Sequence, residues 1–157
     1  MNSAIDFSGE ARLHVGLTVS DLNAAVAFYE ALFGVTPTKI RPGYAKFEVE
    51  SPSVNLALNE DRAGVRPLPK HTHFGVQLKS TEAVLDSLRA FERRGLETLK
   101  EVQTECCHAV QDKVWVRDPD GHPWEVFVVT HADPSPEVHS VPEAEEEGAC
   151  CAPTCCS

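Results

Sequence analysis

All six cysteines of the chain stand as adjacent pairs, Cys106-Cys107, Cys150-Cys151 and Cys155-Cys156. Neighbouring Cα atoms across a trans peptide lie about 3.8 Å apart, short of the usual separation in a disulfide, so a bridge within a pair is strained. Two adjacent thiolates suit one soft ion or metalloid instead, because sulfur ligands select soft partners. Free cysteines are also often small buried residues. Glu105 and His108 flank the first pair, however, and give the stretch near residues 100–112 the character of an accessible loop.

A second set of chemically capable residues lies in a repeat. His14-Val15-Gly16-Leu17 returns as His73-Phe74-Gly75-Val76. A single histidine on a strand is more often structural than a ligand. Equivalent positions in two repeat copies favour a metal site, and so does Glu125, which interrupts the apolar run Trp124–Val129. A carboxylate there is costly to bury without a partner. His71 has no repeat counterpart and reads as a rim residue. Lys113, just past the cysteine loop, reads equally as a solvated strand residue or a substrate contact.

Each copy needs elements that aim these side chains. The first strand runs into a helix that starts near Ser20 or Asp21, carries Leu22, Val26, Tyr29 and Phe33 on one face, and stops at Gly34. The second runs into a helix from Ser80 or Thr81 that lines up Val84, Leu88 and Phe91 and stops at Gly95. Alternating segments follow, Tyr44–Val49 and Val54–Leu58 in the first half, Lys113–Arg117 and Trp124–Val129 in the second. Asp118-Pro119-Asp120-Gly121 marks a turn between the last two. Two β-α-β-β units result, each with one further short strand. Side chains alternate along a strand, so Leu13, Val15, Leu17 and Val19 face the helix while His14, Gly16 and Thr18 face away. The same parity sets Phe74, Val76 and Leu78 against His71, His73, Gly75 and Gln77, and His14, His73 and Glu125 can meet in one cup.

Composition narrows the remaining classes. A chain of 157 residues with 42% apolar and 24% charged content is an ordinary globular protein. The net charge of −10 is uneven: residues 131–157 hold six acids and no Lys or Arg, leaving 18 acids against 14 bases elsewhere. No basic patch offers itself to nucleic acid. No stretch is long enough to span a membrane, and the first residues carry no secretory pattern, so a cytoplasmic protein is expected. Residues 1–130 form the expected domain, and 131–157 an acidic, cysteine-containing flexible tail.

Paired β-α-β-β-β modules with ligands on the cup face resemble the vicinal oxygen chelate superfamily, an α+β class. The match narrows at Val19-Ser20-Asp21-Leu22, Ala27-Phe28-Tyr29, Leu32-Phe33-Gly34 and Arg41-Pro42-Gly43-Tyr44-Ala45. It is most specific in the run from Cys106 to Val116 followed by Pro123-Trp124-Glu125-Val126. These segments are similar to the ArsI/CadI family, over roughly residues 12–129. The resemblance implies a non-haem Fe(II) dioxygenase that uses O₂ to break the carbon–arsenic bond of trivalent organoarsenicals, methyl or aromatic. Carried over position by position, it places the metal on His14, His73 and Glu125 and the arsenic on Cys106 and Cys107.

Two histidines and one carboxylate leave coordination positions open, the pattern suited to Fe(II) and O₂, although the same ligands hold Zn²⁺. The strand Val54–Leu58 offers no fourth ligand of the kind a glyoxalase-type isomerase uses. Sequestration of cadmium or arsenic, and a glyoxalase-like activity, are the alternatives; the tail pairs could serve capture or mere scavenging. Both repeat copies lie in one chain, so a monomer with a complete site is as acceptable as a homodimer.

Overall fold

The computed structural model describes residue 7 and residues 11–106 and 109–131. Its elements run β1 (Leu13–Val19), α1 (Leu22–Phe33), β2 (Lys39–Arg41), β3 (Tyr44–Val49), β4 (Val54–Glu60), β5 (Phe74–Gln77), α2 (Thr81–Arg93), β6 (Leu99–Cys106), β7 (Ala109–Arg117) and β8 (Pro123–His131). The order is βαβββ twice over, as the repeat predicts. The tail expected over 131–157 lies outside the described residues apart from His131, which ends β8.

Each unit folds into one four-stranded sheet. The strand orders are β1-β4-β3-β2 and β5-β8-β7-β6, so His14 lies within one edge strand and His73 immediately before the equivalent one. β1 runs parallel to β4 and β5 parallel to β8, while the other pairings are antiparallel. A helix is the natural crossover before a parallel return, and here it lies between the first strand and the hairpin that closes the sheet.

Local chemistry sets the helix ends. Asp21 caps α1 by accepting from the amides of Asn23 and Ala24, and Ser80 caps α2 by accepting from Ala83 N. Gly34 ends α1 in the left-handed region at φ 71°, where a side chain is strained. The guanidinium of Arg94 occupies the space beside it and donates from Nη1 to the Ala31 carbonyl, satisfying an end-of-helix acceptor from the other unit.

The expected face of α1 is too narrow. Besides Leu22 and Tyr29, the helix buries Ala25, Phe28 and Leu32. The cause is a cover on two sides. Tyr29 packs on Phe47 of its own sheet, and Tyr29 and Phe33 both meet Trp124 of the second sheet. Tyr29 Oη donates to Asp118 Oδ2 at 2.8 Å and accepts from Trp124 Nε1 at 3.3 Å. Burial and the neighbouring Asp118 carboxylate push its hydroxyl well above the usual tyrosine range. The helix-side residues of both sheets, from Leu17 and Leu58 to Val114 and Val126, thus belong to one continuous core. Among the described residues no helix is long and apolar enough to cross a membrane.

Candidate active site

Strand parity delivers two of the expected ligands to one place. Glu125 sits in β8 between Gly75 of β5 and Trp115 of β7, which are its register partners on the two sides. Gly75 leaves the room that Glu125 uses: a Cβ at that position would stand 2.8 Å from Glu125 Cγ. His73, one residue ahead of β5, places Nε2 3.3 Å from Glu125 Oε1. Its Nδ1 lies 2.9 Å from the backbone carbonyl of His71, which can only accept, so that nitrogen carries the ring hydrogen. Nε2 is thus the nitrogen turned toward the carboxylate, donating to Oε1 from a charged ring and standing beside it as a second metal donor from a neutral one. The carbonyl on the far nitrogen is the support typical of a metal-ligating imidazole.

His14 is prepared the same way and held elsewhere. Its Nδ1 lies 3.1 Å from the carbonyl of Asn55, leaving Nε2 free to ligate from an exposed ring. The side-chain oxygen of Asn55, His14's register partner, is buried with no hydrogen-bond partner. Yet among the described residues no three His, Cys, Asp or Glu side chains gather at one point. His73 and Glu125 form a pair on the second sheet, and His14 remains on the first. The donor chemistry of these side chains fits a metal.

Lys113 is not the solvated residue that its long charged side chain suggests. It is 2% exposed, with Nζ 3.5 Å from Glu125 Oε2 and 5.5 Å from the centre of the Trp115 ring. Glu125 is thus flanked by His73 on one oxygen and an ammonium on the other. Two-residue alternation from Trp115 is the signal that would have found it, since Lys113, Trp115 and Glu125 share a face.

Beside His73 opens a cavity of about 540 Å³ whose lining includes Pro67, Pro69, His71, Glu101 and Trp115. Its size suits a small organic ligand. The Trp115 ring stands edge-on to His73 at 5.3 Å and donates from Nε1 to Glu101 Oε2 at 3.3 Å, so it forms a fixed apolar wall.

The stretch expected as a loop over 100–112 is mostly hairpin. β6 reaches Cys106, whose register partner is Ala109 at the start of β7. Its irregularity lies lower down, where the register shifts between Glu101 and Thr104 and Gln103 takes φ 51°. Asp112 holds that bulge by accepting from Gln103 N at 2.8 Å and from Thr81 Oγ1. Burial opposes ionisation of Asp112, but these hydrogen bonds together outweigh it and keep its carboxyl below the usual range. Cys107, His108 and the side chain of Cys106 lie outside the described residues, as do the two tail pairs.

Residues 12–126 match the family described as Glyoxalase/Bleomycin resistance protein/Dioxygenase superfamily. The chain is 41% identical over 151 residues to a protein of Bacillus sp. (strain MD1) named trivalent organoarsenical cleaving enzyme, covering 92% of each chain. It is also 41% identical over 119 residues to the cadmium-induced protein CadI of Mycobacterium tuberculosis (strain ATCC 25618 / H37Rv), covering 76% of each. Among solved structures, a glyoxalase/bleomycin resistance protein/dioxygenase from Alicyclobacillus acidocaldarius superimposes with a TM-score of 0.64 at 15% identity. That overlap covers 77% of this chain and 92% of the other, and it speaks to the fold alone.

Proposed function

The chain belongs to the glyoxalase/bleomycin resistance protein/dioxygenase superfamily and, within it, to the family of the trivalent organoarsenical cleaving enzymes and CadI; on that premise we propose that it cleaves the carbon–arsenic bond of trivalent organoarsenicals. The observation that carries this reading is the 41% identity, across nearly the whole of both chains, to a relative named for that reaction.

Cys106 and Cys107 are the proposed arsenic ligands. Each thiol displaces one hydroxyl of R–As(OH)₂ as water, which fixes arsenic through two sulfurs and leaves only the carbon group free to point inward. Tethering converts a bimolecular encounter into an oriented one. Cys106 is the last residue of β6, beyond the bulge that Asp112 holds, and Cys107 follows it in the sequence. The cavity walled by Trp115 and Pro67 receives the carbon group and limits water around it.

His14, His73 and Glu125 are the proposed metal ligands. A divalent iron bound there would supply the activation of dioxygen. The His71 and Asn55 carbonyls orient the two imidazoles, and Lys113 holds the second oxygen of Glu125, so the carboxylate turns Oε1 toward the ligand position. For a methyl substrate the atoms balance without another co-reactant: CH₃As(OH)₂ and O₂ give arsenous acid and formaldehyde. Carbon is oxidised, dioxygen is reduced, and both its oxygen atoms end in the products.

Arsenic speciation tests the reading directly. Iron-loaded protein mixed with trivalent methylarsenic in air should release inorganic arsenite, and the same mixture without oxygen should not. Stoichiometric binding of intact methylarsenic with no arsenite in air would replace catalysis by sequestration. CadI, a relative at the same identity, is named for induction by cadmium and keeps that second reading specific. Sequestration would depend on the cysteine pairs and not on His14, His73 or Glu125.

A further inference from the structure

We infer that Asp112 is a positioning residue for arsenic capture: by holding a one-residue bulge in β6, it sets Cys106 and Glu101 on the same side of the β6–β7 hairpin. This rests on the proposed role of Cys106 and Cys107 as arsenic ligands and adds what places the first of them.

Glu101 and Cys106 are five residues apart, an odd separation that in a regular strand puts two residues on opposite faces. β6 is not regular. Leu99 pairs with Trp115 and Glu101 with Lys113, whereas Thr104 pairs with Gln111 and Cys106 with Ala109. Three steps along β6, from Glu101 to Thr104, thus match two along β7, and β6 carries one extra residue. Ala109, Gln111, Lys113 and Trp115 alternate along β7 and form one row of it. Opposite residues of an antiparallel pair share a face, so the bulge brings Glu101 and Cys106 to that same row. The row flanks Glu125, whose register partner is Trp115 and whose Oε2 lies 3.5 Å from Lys113 Nζ. Regular pairing that kept Cys106 opposite Ala109 would carry Glu101 to Val114, a fully buried core residue, and away from the Trp115 indole that donates to it. A carboxylate there is costly.

Asp112 belongs to the other row of β7, with Val114 and Val116, and reaches from the bulge to α2. Gln103 takes φ 51°, in the left-handed region that a residue bearing a Cβ enters at a cost. Asp112 Oδ1 accepts from Gln103 N at 2.8 Å and from Gln103 Nε2 at 3.3 Å. Its Oδ2 accepts from Thr81 Oγ1 in the first turn of α2. Asp112 is buried, so water does not stand in for it. One side chain therefore fixes the unusual backbone of the bulge and ties it to a helix. Glycine at position 103 would take that backbone unaided, but the chain has glutamine there and leans on Asp112. Bulges beside active sites commonly re-aim a strand in this way.

A metal-free binding experiment tests this independently of turnover. The full chain carrying Cys150→Ser, Cys151→Ser, Cys155→Ser and Cys156→Ser keeps a single vicinal pair, and Trp124→Phe leaves Trp115 as its sole tryptophan. Phenylarsine oxide should bind this parent once per chain by elemental analysis, and arsenic held on the Trp115 side should quench the indole emission. Adding Asp112→Ala should keep the stoichiometry and lose most of the quenching, because the thiols still chelate but no longer hold arsenic there. Adding Gln103→Gly to that variant should restore the quenching, since glycine forms the bulge without a supporting carboxylate. Circular dichroism shows which chains are folded. A parent that binds arsenic without quenching, or an Asp112→Ala variant that quenches as fully as the parent, overturns the inference and leaves Cys106 and Cys107 as arsenic ligands. A double variant as impaired as Asp112→Ala, in folding or in quenching, places the effect of Asp112 outside the bulge and overturns it too. Absence of arsenic binding by the parent overturns the ligand assignment and the inference together.

Discussion

Glu125 is held from two directions, with His73 Nε2 3.3 Å from Oε1 and Lys113 Nζ 3.5 Å from Oε2. The first contact brings two potential metal donors together, and the second sets an ammonium beside the other oxygen in a place 7% exposed. Replacing Glu125 by Gln retains the shape and removes the charge. Saturable Co²⁺ binding should disappear up to concentrations about 100-fold above the wild-type Kd, by analogy with losses of 10–100-fold for outer supports alone. Wild-type binding by E125Q in a calorimetric titration would remove Glu125 from the ligand set.

Lys113→Met keeps the length of the side chain and deletes the ammonium. With nothing on Oε2, the Glu125 carboxylate is free to rotate, and metal affinity should fall by about 10–100-fold. Lys113→Arg should recover part of it. Chelator competition measures both, and equal affinities in wild type and K113M would reduce Lys113 to packing.

Gly75→Ala puts a methyl group where Glu125 Cγ now runs. Overpacking of this kind costs roughly 1–3 kcal/mol. The displaced carboxylate should lower Co²⁺ affinity more than it lowers the urea midpoint of the metal-free protein. A loss of stability with unchanged affinity would show that Glu125 tolerates the shift.

Tyr29→Phe removes the hydroxyl that links the two units through Asp118 and Trp124. A hydrogen bond to a charged acceptor is worth about 1.5–3 kcal/mol, so the urea-derived stability should drop by roughly 2 kcal/mol. His122 Nδ1, which donates to the same Asp118 oxygen at 2.7 Å, limits the damage. No measurable loss would mean that ring packing on Trp124 alone joins the units.

Asp112 gives a pH signature. Its carboxyl is held below the ordinary value of about 3.9, so its stabilisation is fully present above that value and disappears as pH falls through the folded one. Urea midpoints of wild type and Asp112→Asn should differ at pH 7 and converge in acid. A constant difference down to pH 2 would assign the effect to shape and not to charge.

Most of the architecture could be read from the residues because period-two and helical spacing were both strong. The repeat of His-x-Gly fixed the equivalence of the two units, and Asp21, Ser80 and Gly34 marked helix ends by their own hydrogen bonding. Glu125 stood out because a carboxylate interrupts an apolar strand. Lys113 did not, because a lysine among alternating residues looks like a solvent-facing one until its neighbours are known. Nor did the β6–β7 hairpin, whose bulge is held by a side chain, Asp112, from the opposite strand. The arrangement of the two units was beyond reach for a different reason. Any packing of the units buries the same apolar faces, and particular side chains distinguish them: Trp124 against Tyr29 and Phe33, Asp118 on the Tyr29 hydroxyl, and Arg94 on the Ala31 carbonyl.

Trp124 and Trp115 are the two tryptophans of the chain, and they stand in separate settings. Trp124 is enclosed between the units against Tyr29, Phe33 and Phe74, whereas Trp115 borders His73, Lys113 and the cavity. The protein therefore carries two built-in optical probes with distinct subjects. Emission from a Trp124→Phe variant reports events in the cup, and emission from Trp115→Phe reports separation of the two halves. Occupancy and unfolding can be followed in one cuvette without an added label.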